Sequence, residues 1–283
     1  VVVNEFVGWR HEEPERAAKI LDDVRSLADV VRRHGAKLEF LFHDFFALCP
    51  SVTLTGKDGV YCGLKPGIEE CDACAAQGDD FSMAAWRETW GELLSRADTA
   101  VFLSQSTLDT VSRVYRLHGG QIALRPHTLP LLEGSVAIPK TGPMRVAVAG
   151  NIVRHKGADI VRDLALLLEK EIPEASIVVF GTLDVPYVPE NVTVLGESAR
   201  EDIPELLEKH GVTVALFPSI WPETFSFVVR ELASLGLPVV SFDLGAQGEY
   251  VKTLSNGRIA GTVSAQAALA ALQELDQQRV NSR

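Results

Sequence analysis

The stretch Val212-Thr213-Val214-Ala215-Leu216-Phe217-Pro218-Ser219-Ile220-Trp221-Pro222-Glu223-Thr224-Phe225-Ser226-Phe227-Val228-Val229-Arg230-Glu231 reads as a buried strand, a turn and a helix. The apolar run 212–217 is a strand covered on both faces. After the turn, Phe225, Val228, Val229, Leu232 and Leu235 recur at helical spacing, which predicts a helix starting near Thr224. On that helix a rise of ~1.5 Å per residue sets Glu223 and Glu231 about 12 Å apart along the axis and roughly 80° out of register. Between them lie the unpaired N–H groups of the first turn, an anion seat at the positive pole of the helix. This layout suits a long polyhydroxylated ligand with an anionic middle, such as a nucleotide sugar. The plain alternative is two surface glutamates on an amphipathic helix.

Outward from this unit the same alternation continues. Strands are expected at 144–150, 176–181, 192–195, 212–217 and 238–242, with helices between them; Ile160, Val161, Leu164, Leu167 and Leu168 mark the helix after the first strand. This is a doubly wound α/β domain, which binds ligands beyond the carboxyl ends of its strands where strand order reverses. Gly150–Gly157 and Ser219–Ser226 are both strand-to-helix turns of that kind. The first carries two glycines with Arg154, His155 and Lys156 and could seat a phosphate. It is neither a dinucleotide fingerprint nor a P-loop, and Thr55-Gly56-Lys57 lacks the rest of a P-loop as well.

The first half reads as a thinner version of the same architecture. Strands are expected at 1–6, 37–43, 99–104 and 121–126, helices at about 12–34, 80–97 and 105–117, and a linker over 132–143. The expectation is therefore two Rossmann-like domains, 1–136 and 137–283, in a chain of 283 residues. With 46% hydrophobic and 23% charged residues the chain can build two cores. A net charge of −11 argues against nucleic acid or an anionic membrane as main partner. No apolar run approaches the ~20 residues that span a bilayer, and Val1 to Glu5 is no signal peptide. A cytoplasmic location is expected, with peripheral membrane contact left open.

All four cysteines fall in one loop, 49–74, as Cys49-x12-Cys62-x8-Cys71-x2-Cys74. A closed structural Zn site of four thiolates is one reading; disulfides and idle thiols are the others, disulfides being disfavoured in a reducing compartment.

Taken together, Gly150-x6-Gly157 with Lys156, the run Pro218-Ser219-x-Trp221-Pro222-Glu223-Thr224-Phe225, Glu231, and Pro238 to Ala246 with Glu249 resemble the donor domain of glycosyltransferase family 4. The resemblance is strong over 144–262 and looser over 37–130. It implies the GT-B architecture of two Rossmann-like domains facing a cleft, and a retaining, metal-independent transfer from a nucleotide-diphosphate sugar to a glycan or lipid-linked acceptor, polysaccharide assembly being the commonest setting. Glu223 would contact the donor sugar, the amides of Thr224, Phe225 and Ser226 would hold sugar and phosphate, and Glu231 would take the ribose hydroxyls. Gly150, Asn151, Arg154, Lys156 and Gly157 would form the diphosphate turn, with Lys156 stabilising the leaving group. Loop shape near Gly196 to Ile203 would recognise the base. His43, in His43-Asp44 at a strand end, would lie near the transferred sugar.

One departure is Asn151, where the family usually has an arginine; either Arg154 reaches in, or Lys156 and main-chain donors act alone. The resemblance also implies an acceptor domain with a glycine-rich first loop, which is not seen upstream of Val1. The N-terminal domain is expected to be incomplete, and a catalytically incomplete nucleotide-sugar-binding module that needs a missing segment or partner chain is the alternative to an active transferase.

Overall fold

A computed structural model of the chain describes residues 2–3, 16–64, 67–75, 81–128, 130–132 and 134–281. The chain divides into two compact units, one of Val1–His127 with Pro222–Phe225, the other of Thr128–Trp221 with Ser226–Arg283. Both are α/β units built on parallel sheets. No helix among the described residues is long and apolar enough to cross a membrane.

In the first unit the elements run β1 (Val2–Val3), α1 (Arg16–His34), β2 (Glu39–Phe42), α2 (Ile68–Ala75), α3 (Met83–Ser95), β3 (Thr99–Phe102), α4 (Gln105–Ser112) and β4 (Ile122–Leu124). The strands pair in parallel in the order β1-β2-β3-β4. Parts of three expected elements, at 1, 4–6, 12–15 and 80, lie outside the described residues. Two tryptophans on α3, Trp86 and Trp90, are fully buried and pack edge-on against Phe46 with ring centroids 5.1 and 5.8 Å away. The Trp86 indole N–H donates to Phe46 O at 3.0 Å, so its polar end is satisfied inside the core. Ser82 and Ser104 cap α3 and α4 by accepting from the amides of Ala85 and Thr107. α4 ends at Ser112, five residues before the expected end.

The second unit holds β5 (Arg145–Ile152), α5 (Ala158–Glu171), β6 (Ser176–Leu183), β7 (Val192–Val194), α6 (Ile203–Lys209), β8 (Val214–Phe217), α7 (Phe227–Ser234), β9 (Val239–Phe242), α8 (Gly245–Val251), β10 (Gly257–Ala260) and α9 (Ala265–Asn281). Its six parallel strands are ordered β10-β9-β8-β5-β6-β7. Successive strand residues serve opposite layers. Val146, Val148, Ile177 and Val179 join Leu164, Leu168 and Leu272 in one core, while Ala147, Val178 and Phe180 join Leu207 and Leu232 in the other. A strand buried on both faces has to be apolar at every position, which is why these runs show no alternation. β8 starts two residues later than the run suggests, because the Val212 amide still donates to Leu207 O at the end of α6.

Two differences from expectation matter for function. β10 and α9 extend the sheet and its cover beyond the last predicted strand. The helix after β8 begins at Phe227, not near Thr224: Ser226 is its extended N-cap, at φ −117° and ψ 104°. The preceding residues are held by tertiary hydrogen bonds within the first unit. The Thr224 hydroxyl donates to His43 O at 2.6 Å, and Thr224 O accepts from the Thr107 hydroxyl at 3.4 Å. Glu223 therefore lies outside the helix, and the axial geometry expected for the two carboxylates does not apply.

Strand order reverses between β5 and β8, which pair at Val146–Val214 and Ala147–Ala215. The turn after β5 ends on Gly157, with φ +90°, where an added Cβ would stand 2.1 Å from Pro218 O. Gly157→Ala is expected to cost more than about 1 kcal/mol, through both the left-handed backbone and the collision. Gly119→Ala, where a Cβ meets open space, should stay within about 0.5 kcal/mol. Urea unfolding midpoints of the two variants check the contrast.

Candidate functional site

In the second unit the turn after β5 and the turn after β8 meet at the switch point. β5 and β6 run together past Gly150 because both positions there are glycine: a Cβ on Gly181 would lie 2.1 Å from Gly150 O. Asn151 sits opposite Thr182, whose hydroxyl donates to Asn151 Oδ1 at 2.5 Å. The carboxamide is thus held toward the neighbouring strand. A 3-10 turn, Arg154–Lys156, then leads through Gly157 into α5. Arg154 is largely exposed and stands 4.0 Å from Asp159 in the first turn of α5.

The β8 turn is fastened to this one. The Ile220 amide donates to His155 O at 3.1 Å, Lys156 Nζ lies 5.8 Å from the centre of the Trp221 ring, and the His155 and Trp221 rings meet edge-on at 6.1 Å. Trp221 O in turn accepts from Gln247 Nε2 at 2.7 Å. Burial first, and the Lys156 charge second, hold His155 below the usual histidine pKa. Its imidazole is therefore neutral at pH 7, and Lys156 carries the fixed charge beside it.

Ser226 caps the backbone of α7 but its side chain makes no capping bond. It is 2% exposed, and its Oγ has no hydrogen-bond partner among the described residues. A buried hydroxyl without a partner at the positive pole of an eight-residue helix is a donor in search of an acceptor. One turn further along α7, Glu231 accepts from Arg200 Nε at 2.5 Å, and the same guanidinium donates to Pro130 O. A cavity of ≈ 280 Å³ opens beside the β5 turn, lined by Gly150, Asn151, Phe180, Thr182, Glu197 and Ile203 among others. Phe180 reads in the sequence only as a strand residue, and Thr182 lies one residue past the expected strand 176–181; the pairing of β6 with β5 is what brings them to the turn. Arg200, on the loop after β7, carried no signal of its own.

In the first unit His43 follows β2 directly. Both ring nitrogens are buried without a hydrogen-bond partner among the described residues; the nearest carboxylate, Asp44 Oδ2, is 3.6 Å away. His43 shares this unit with Glu223, which is 5% exposed, and with Phe225, whose ring meets His127 edge-on at 5.2 Å. The segment 222–225 thus joins the strand end that carries His43.

The four cysteines surround one cavity of ≈ 520 Å³ in the first unit. Burial pushes the Cys49 thiol up to about 12, opposed by a hydrogen bond from the Ser51 backbone. Among the described residues no three His, Cys, Asp or Glu side chains are already arranged to hold a metal ion.

Two parallel α/β units, the second with a turn-to-turn contact at its switch point, define the GT-B class of fold. Residues 135–283 match the family model of the glycosyl transferases group 1, and the chain belongs to that family. Among solved structures, a TarM mutant from S. aureus, in complex with Fondaparinux, alpha-GlcNAc-glycerol and UDP, is similar at 13% identity and a TM-score of 0.60 over 87% of this chain and 45% of that one. Sucrose-phosphate synthase from Thermosynechococcus elongatus shares 18% identity at a TM-score of 0.59, over 87% and 63%. HepE from Anabaena, in complex with UDP-glucose, shares 16% at 0.60, over 94% and 74%. The chain spans less than two thirds of the first two proteins, and at these identities the likeness is one of fold. No curated protein sequence matches the chain.

The Ser226 hydroxyl predicts a measurable asymmetry between caps. Ser104→Ala, which removes a side-chain cap, should lower stability by about 1 kcal/mol. Ser226→Ala should not lower it, because deleting an unsatisfied buried hydroxyl relieves its desolvation. Urea denaturation of both variants tests this.

Proposed function

We propose that the chain is a retaining glycosyltransferase of the GT-B type that moves a sugar from a nucleotide-diphosphate donor to a glycan or lipid-linked acceptor, without a metal, in cytoplasmic polysaccharide assembly. The observation that carries this reading is the fastening of the Gly150–Gly157 turn to the Pro218–Trp221 turn at the switch point, with Lys156 at the junction. Family membership supports it, as do the UDP and UDP-glucose bound to TarM and HepE.

In this reading residues 137–283 bind the donor and 1–136 form the acceptor side. The diphosphate takes hydrogen bonds from the amides at the start of α7 and from Ser226 Oγ, and its charge is met by Lys156. As the bond to the anomeric carbon breaks, negative charge grows on the leaving phosphate, and a fixed ammonium stabilises that state more than the ground state. Asn151, tied to Thr182, is neutral and Arg154 is drawn to Asp159, so Lys156 is the principal cation of the turn. Glu231 accepts from the ribose hydroxyls while Arg200 holds its carboxylate in place. Glu223 accepts from hydroxyls of the sugar, and His43, with two unsatisfied ring nitrogens, bonds a hydroxyl near the anomeric centre. The ≈ 280 Å³ cavity with Phe180 and Ile203 takes the base.

A thermal-shift screen against UDP-, GDP-, ADP- and TDP-sugars identifies the donor; absence of any shift overturns the reading. Glu231→Ala should weaken the free nucleotide diphosphate and the intact donor alike, by about 10- to 100-fold. Glu223→Ala should weaken only the intact donor to that extent. Lys156→Ala should slow transfer by about 10² to 10³-fold, followed by product formation with NMR assignment of the new anomeric bond. An inverted product contradicts retention. Donor binding with neither transfer nor hydrolysis selects the other reading, a nucleotide-sugar-binding module that acts with a further segment or chain.

A further inference from the structure

The thiols of the first unit come from three separate pieces of chain. Cys49 ends the turn after β2, its amide donating to Phe45 O at 3.0 Å. Cys62 closes a tight antiparallel turn in which Thr55 bridges Tyr61, the Gly56 amide donates to Val60 O at 2.8 Å and the Cys62 amide donates to Leu54 O at 2.9 Å. Cys71 and Cys74 stand three residues apart on α2, on one face of the helix. All four line the same ≈ 520 Å³ cavity.

A cation stands beside the thiols. Arg87, reaching from α3, donates to Cys71 Sγ at 3.8 Å and to Leu48 O at 3.2 Å. A guanidinium donor is what thiolate ligands need around them. The chain is also strained here. Leu54 and Leu64, both buried, hold φ of +55° and +53°, a region that is unfavourable for a non-glycine residue and persists only where the surroundings over-determine it. Both strained residues face the cavity, one at the start of the turn and one just past Cys62.

We infer that Cys49, Cys62, Cys71 and Cys74 together bind one divalent cation of the zinc class as a closed tetrathiolate. Four S–H bonds ionise, four sulfur–metal bonds form and four protons pass to solvent, with no change of oxidation state. The cluster carries two negative charges, and Arg87 is the cation placed to offset them. As the thiols stand they are not a finished cage, so loading draws the 54–62 turn and α2 across the cavity toward Cys49. The metal then staples the loop that begins six residues after His43, and its role is structural. This site is independent of the donor chemistry proposed above.

The test uses the full chain, reduced and metal-free, titrated with Co²⁺ alone. Binding of one equivalent with a thiolate-to-cobalt charge-transfer band and tetrahedral ligand-field absorption is expected, and Zn²⁺ should bleach both. Cys71→Ser and Cys74→Ser should each lose the four-sulfur spectrum, while Lys57→Ala, which alters a non-ligand lining the same cavity, should keep it. Should the serine variants fail to fold, alkylation of the wild-type chain decides: four thiols react in the metal-free protein and none at one equivalent of Zn²⁺. The proposal is overturned by an absence of charge transfer at excess cobalt, by alkylation unaffected by Zn²⁺, or by an air-purified chain whose mass shows two hydrogens lost per cysteine pair.

Discussion

The approach of the Gly157 backbone to the carbonyl of Pro218 is the contact on which the second unit's site depends. β5 and β8 are neighbours only because strand order reverses between them, and their carboxyl-terminal turns then have to share one space. A side chain at 157 would fill it. With glycine there, Ile220 reaches His155 O and Trp221 settles against both His155 and Lys156. The charge of Lys156 is thus positioned by main chain and by an aromatic ring. Positive charge held in this way needs little reorganisation when negative charge develops near it.

A second constraint acts on the segment that links the turn to α7. Pro222 disfavours helix at Trp221, and Thr224 exchanges hydrogen bonds with His43 and Thr107 instead of entering the helix. The helix consequently starts at Phe227 and leaves Ser226 buried with its hydroxyl unused. The same clamp attaches the Glu223 segment to the strand end that carries His43. A hydroxyl and two ring nitrogens, buried and without hydrogen-bond partners among the described residues, are costs that a packed interior tolerates where a ligand supplies the missing bonds.

The parallel architecture was readable from particular runs. Val146 to Val148 and Ile177 to Phe180 are apolar at every position, and only a strand covered on both faces requires that. The two functional turns were readable as well, since Gly150, Gly157 and Lys156 stand between a strand and a helix. β10 was not readable, because Gly257-Arg258-Ile259-Ala260 is short, half-polar and edge-paired with β9. The start of α7 was misplaced because helical periodicity extends back to Phe225, while the bonds that hold Thr224 out of the helix come from residues more than a hundred positions away.

The amino-acid sequence alone determined the alternation of strands and helices, the glycine-bounded turn with its lysine and the clustering of cysteines in one loop, all of which depend on local spacing and side-chain type. Tertiary structure alone decided that Asn151 is tied to Thr182, that Arg200 grips Glu231, that Glu223 lies off the helix and that four thiols surround one cavity. Each of these is a contact between residues distant in the chain, and such contacts are set by strand order and packing, which leave no periodic trace in the sequence.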